Sequence, residues 1–91
     1  MSYVDYDQSE YEWIREFDPS TNENELEWHR DKNDRHIEVL EGKGWLFQFD
    51  NGFPFYINIS NTVFIPKEIF HRLHKGDNKL KIKIKEYSND V

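Results

Sequence analysis

The sequence predicts an all-β domain of seven or eight short antiparallel strands. Apolar residues recur with a period of two, most cleanly in Leu80-Lys-Ile82-Lys-Ile84, and that period sets one face of a strand against the other. Turn-forming clusters punctuate the chain about every 8–12 residues, the spacing of a sandwich or barrel. No segment carries an apolar stripe at helical spacing.

Residues 1–10 are acidic and lack apolar periodicity, which predicts a flexible arm, followed by one domain over 11–88 and a short tail at 89–91. Tyr11–Phe17 alternates in part and gives the first strand, ended by the turn cluster Asp18-Pro19-Ser20-Thr21-Asn22. Leu26–Asp31 is short and extended, and Lys32-Asn33-Asp34 turns. Arg35–Leu40 alternates with Arg35, Ile37 and Val39 on one face. The two glycines of Glu41–Gly44 predict a hairpin turn into Trp45–Phe49, whose Trp45, Phe47 and Phe49 form a core stripe. Asp50-Asn51-Gly52 is the strongest hairpin signal in the chain and leads into Phe55–Ile59. After Ser60-Asn61, the strand Thr62–Ile65 is halted by Pro66. Lys67–Phe70 connects to a strand at His71–His74, and Lys75–Asn78 turns into Lys79–Lys85. Lys79, Lys81, Lys83 and Lys85 form a basic ladder, expected on a solvated face or on an edge strand guarded against aggregation. Pairing with the acidic arm of a neighbouring subunit is the second explanation for it.

Composition narrows the function classes. Ninety-one residues make one domain with a thin margin of stability, which three Trp, five Tyr and seven Phe improve. Residues 1–34 carry eleven acids and three bases, while residues 35–91 carry seven acids and nine bases. The acidic half argues against nucleic-acid binding. The absence of cysteine excludes disulfides and thiolate metal sites and fits a cytoplasmic setting. The first residues lack the basic and apolar regions of a signal peptide, and no apolar run approaches the ~20 residues that span a bilayer. A homodimer is expected, joined through the Tyr11–Phe17 strand.

Two segments carry a family resemblance. The first runs from Trp28-His29-Arg30-Asp31 through Arg35 to Val39-Leu40-Glu41-Gly42; the second is Asn61–Pro66 with His71 five residues beyond the proline. Together they resemble the two motifs of the cupins, the small double-stranded β-helix (jelly-roll) barrels, over about residues 26–86. The resemblance implies a cupin-type barrel with a divalent metal held by histidines and a carboxylate. His29 matches the first motif histidine, and His71 the histidine of the second. Asp31 stands where a second histidine is usual, Arg35 where a glutamate ligand is expected, and Glu68 where a glycine is usual.

Residues i and i+2 of a strand share a face, so His29 and Asp31 are expected to point inward together, joined by Arg35 and His71. Unpaired burial of such groups costs several kcal/mol, so they must satisfy one another or bind something. One arrangement is a divalent ion (Fe, Mn, Ni or Zn) on His29, Asp31 and His71, with Arg35 offering a two-pronged hydrogen bond to a substrate carboxylate, which suits an oxygenase-like metalloenzyme acting on a small organic acid or sugar derivative. The other is a metal-free cluster in which Arg35 pairs with Asp31, in a ligand-binding or structural cupin without catalysis. A metal-free sugar-modifying isomerase with a His–Asp base is a third possibility. Gln48 and Tyr56 are further candidates for the pocket wall; His36 and His74 fall on the outward faces.

Overall fold

The computed structural model describes residues 3–22 and 26–88. Eight strands account for the regular structure: β1 (Tyr3–Tyr6), β2 (Glu12–Phe17), β3 (Asp34–Glu41), β4 (Leu46–Phe49), β5 (Phe55–Tyr56), β6 (Thr62–Ile65), β7 (His71–His74) and β8 (Leu80–Tyr87). They form a five-stranded sheet in the order β1-β2-β8-β3-β6 and a three-stranded sheet in the order β5-β4-β7. Every pairing is antiparallel. Among the described residues there is no helix, hence none long and apolar enough to cross a membrane. The all-β class and the jelly-roll architecture stand as the sequence predicts.

The inward faces follow the alternation. Leu80, Ile82 and Ile84 of β8, Ile37 and Val39 of β3, and Val63 and Ile65 of β6 are buried. One end of the barrel is plugged by Val39, Trp45, Ile57 and Leu80, each no more than 1% exposed. The indole N–H of Trp45 donates to the Asn78 carbonyl at 2.6 Å, so the plug is also hydrogen-bonded. The other half of the interior opens into the cavity that holds the candidate site.

Four expectations need correction. The N-terminal arm is not loose at Tyr3–Tyr6: β1 pairs with β2, the Tyr3 ring lies 5.5 Å from that of Phe17, and Arg15 grips Asp5 through two bonds of 2.8 and 3.0 Å. Tyr3-Val4-Asp5-Tyr6 does not alternate apolar with polar residues, so its long-range partners decide. The expected tail at 89–91 lies outside the described residues.

Secondly, Glu41–Gly44 is no hairpin. β3 and β4 lie in different sheets, so the chain crosses between sheets there, and again at Lys75–Asn78. The Asp50-Asn51-Gly52 turn does join paired neighbours, β4 and β5, as the turn between β1 and β2 also does.

Thirdly, the lysine strand β8 is central, flanked by β2 and β3. The ladder lysines meet carboxylates of the adjoining β2: Lys79, just before β8, reaches Glu16 and Lys83 reaches Glu12, both at 2.8 Å. Lys81 and Lys85 lie over the rings of Tyr6 and Tyr87. Lastly, β2 is enclosed between β1 and β8 and offers no edge to a neighbour; the edges of the large sheet are β1 and β6.

Candidate metal centre

The site is assembled by a backbone pairing outside the named strands. His29 N–H donates to the His71 carbonyl at 3.0 Å and His71 N–H returns the bond at 2.9 Å. This lays the segment after Leu26 along the edge of β7. Leu26, 5% exposed, anchors that segment in the core. The loop after Pro66 fastens the next residues: Glu68 N–H donates to the Asp31 carbonyl and Lys67 N–H to Asp34 Oδ1, both at 2.7 Å. Glu68 takes a left-handed φ of 63° to do so, where a glycine would sit without strain.

The side chains converge from these supports. One ligand atom from each of His29, Asp31 and His71 lies within 4.8 Å of the others. The two rings meet edge to face with centroids 4.3 Å apart. His29 Nδ1 lies 3.2 Å from the Glu27 carbonyl, and His71 Nδ1 lies 2.9 Å from that of Ile69. A carbonyl only accepts, so each Nδ1 carries the proton and each Nε2 presents a lone pair. Orienting contacts of this kind to the remote ring nitrogen are usual for metal-ligating histidines.

Asp31 supplies the anionic donor. Its Oδ2 lies 3.4 Å from His71 Nε2 without hydrogen-bond geometry, and it is buried with no hydrogen-bond partner. Two lone-pair atoms therefore face each other, an arrangement that a cation between them relieves. The other oxygen, Oδ1, lies 3.3 Å from Arg35 Nη1. Arg35 is held from behind by Glu86, at 2.9 Å from its Nε, and its guanidinium lies over the Trp13 ring. Burial, aided by the nearby His29, pushes the His71 imidazole below its ordinary value against the opposing Ile69 bond. Its neutral state is the one that ligates metal.

The triad opens onto a cavity of about 400 Å³. His29, Asp31, His71 and Arg35 all line it. Gln48 and Tyr56 do not. Phe47 takes the inward face of β4, so Gln48 points outward, bonded to the Gly52 carbonyl at 3.0 Å and to His74 at 2.8 Å. Tyr56 is 64% exposed because its neighbour Phe55 turns towards Phe47. Two contributors went unnoticed in the sequence. Arg15 lines the cavity from β2, and its place between Trp13 and Phe17 on one strand face is the signal that reveals it. Glu86 has no such signal; it reaches Arg35 only through the β3–β8 register.

Comparison with solved structures decides the architecture. A cupin domain from Bordetella pertussis Tohama I superposes with a TM-score of 0.63 at 16% identity, covering 94% of this chain and 92% of that one. The fold is the cupin barrel. The same barrel superposes on the DMSP lyase DddQ from Ruegeria pomeroyi with a TM-score of 0.72 at 12% identity, covering 97% of this chain and 48% of the lyase. It superposes on FeII HppE with a TM-score of 0.67 at 12% identity, covering 84% and 41%. This cupin barrel therefore spans less than half the length of those two proteins. No family model and no curated protein sequence matches the chain.

Proposed function

We propose that this cupin barrel holds one divalent first-row ion on His29, Asp31 and His71 and presents it to a small ligand in the adjoining cavity. The observation that carries this is the buried Asp31 Oδ2, unpartnered and aimed at the free nitrogen of His71. Two imidazoles and one carboxylate suit Fe, Mn, Ni or Zn and leave coordination positions for a substrate. When bound, such an ion would supply Lewis-acid polarisation of the ligand and, in the case of iron, a site for oxygenase-type chemistry. The similarity to FeII HppE supports an ion in this fold.

The chain's own groups prepare the site. The Glu27 and Ile69 carbonyls fix the tautomers of His29 and His71, Arg35 turns the Asp31 carboxylate, and the Phe47 ring stacks on His71 at 5.5 Å. A second reading, a metal-free polar cluster in a non-catalytic binding protein, draws on the Arg35–Asp31 contact. The proposal includes a cytoplasmic homodimer closed across an edge of the large sheet, β1 or β6; mass measurement in solution checks the dimer.

Protein purified without chelator or affinity tag is expected to contain, or to take up on titration, one Fe(II), Mn(II), Ni(II) or Zn(II) per chain. Asp31→Asn and His71→Ala are expected to lose it while circular dichroism shows a folded barrel. A folded wild type that binds none of the four ions after reconstitution overturns the proposal and leaves the metal-free cluster.

A further inference from the structure

Resting on the metal site proposed above, we infer that the cavity takes a small amphiphile with an apolar body and a single neutral or singly negative oxygen head group. The walls give the body. Ile37, Ile65, Ile82 and Ile84 line the cavity from the large sheet, and Phe47 and Leu73 from the small one. Apolar walls with a few convergent polar groups at one place are the usual build of a small-molecule site, and about 400 Å³ lies at the small end of such pockets.

The charges give the head. Two arginines line the cavity, which would suggest a receptor for anions, but each guanidinium is already paired with a carboxylate. Arg15 is gripped by Asp5 at 2.8 and 3.0 Å and lies over the Tyr3 ring, 3.8 Å from its centroid. Arg35 is gripped by Glu86 at 2.9 Å and faces Asp31 at 3.3 Å. Among the described residues, the carboxylates that line the cavity or hold its arginines are Asp5, Glu27, Asp31 and Glu86. Two guanidiniums and one dication balance those four carboxylates, so the loaded cavity is neutral. A ligand with one negative group can exchange it for water on the ion. A second negative group, or a row of hydroxyls, would meet the isoleucine wall or guanidiniums already paired with carboxylates.

The test uses the full chain and calorimetric titration. Uptake of Zn(II), Mn(II), Ni(II) and Fe(II) is read first, and the ion bound most tightly is kept. Acetate, butanoate, hexanoate, adipate and gluconate are then titrated into the loaded protein. Hexanoate, gluconate and adipate have six carbons each; gluconate lacks the apolar body and adipate adds a second charge. Each methylene buried is expected to tighten binding by up to about fourfold, and hexanoate to bind at least about tenfold tighter than acetate, adipate or gluconate. Leu73→Ser is expected to lower the ratio of hexanoate to acetate affinity by several-fold in the ion-loaded protein. Ion uptake with no dependence on chain length, or with gluconate or adipate equal to hexanoate, overturns the ligand class and leaves the metal site standing. No uptake of any ion overturns both. Should Leu73→Ser fail to fold, the wild-type series alone decides.

Discussion

Asp31 is the residue on which the site turns, and its two oxygens have separate tasks: Oδ1 faces Arg35, and Oδ2 faces His71. Glu86 sits behind this arrangement, because it fixes the guanidinium that turns the carboxylate. Removing its charge in Glu86→Gln is expected to weaken ion binding by about tenfold or more, the usual cost of losing such a supporting contact; titration calorimetry measures it. His71 gives a pH dependence. Its imidazole is held below the ordinary value of about 6.5. Above that pH the imidazole is neutral in both folded and unfolded chains and has no effect. As pH falls through about 6.5, the unfolded chain takes up a proton that the folded one resists, so stability declines until the lower folded value is passed. Urea midpoints of the chelator-treated protein are expected to fall between pH 7.5 and 5.5, and the step to shrink in His71→Asn. The triad itself was legible in the His-X-Asp spacing and in Ile65-Pro66 followed by His71. The engagement of Arg35 was not, since Glu86 lies 51 residues away and no local pattern encodes which strand β3 pairs with.

Strands were legible as elements wherever four or more residues alternated with a buried face, as in β3, β4, β6 and β8. What the alternation withholds is sheet membership. The glycines near Glu41–Gly44 signal a reversal, yet the reversal delivers the chain to the opposite sheet. The crossovers at Glu41–Gly44 and Lys75–Asn78 meet: Asp77 N–H donates to the Lys43 carbonyl at 2.9 Å. Gly76 lies where they touch, and a Cβ there would overlap Trp45 Cδ1 and the Lys43 carbonyl oxygen. Trp45 is fully buried and has no room to yield. Gly76→Ala is therefore expected to destabilise the barrel by about 1–3 kcal/mol, read as a lower urea midpoint at unchanged slope. The same choice of face explains Gln48 and Tyr56: the sequence shows that neighbours in β4 and β5 point oppositely, but not which of them looks inward.

At the scale of the whole molecule, the barrel separates its tasks by end and by surface. The plugged half carries the packing, and the open half carries the triad and the cavity. The outer face of the large sheet sets Lys83 and Lys79 beside the Glu12 and Glu16 carboxylates, so the basic ladder is answered within the chain. A radius of gyration of 12.6 Å lies close to the roughly 12 Å of a compact chain of this length, as expected when β1 packs on the body. The reciprocal backbone bonds between His29 and His71 carry one more consequence. The two residues whose amides lock the segment onto β7 also supply both ring donors. An ion on those rings would act as a clasp on the backbone pair, and the segment could not peel away without releasing it. Amide hydrogen exchange at His29 and His71 is therefore expected to slow on ion addition more than exchange at Val39 or Leu80 in the distant plug. Equal slowing everywhere would mean that the ion stabilises the barrel globally and leaves this seam no tighter than the rest.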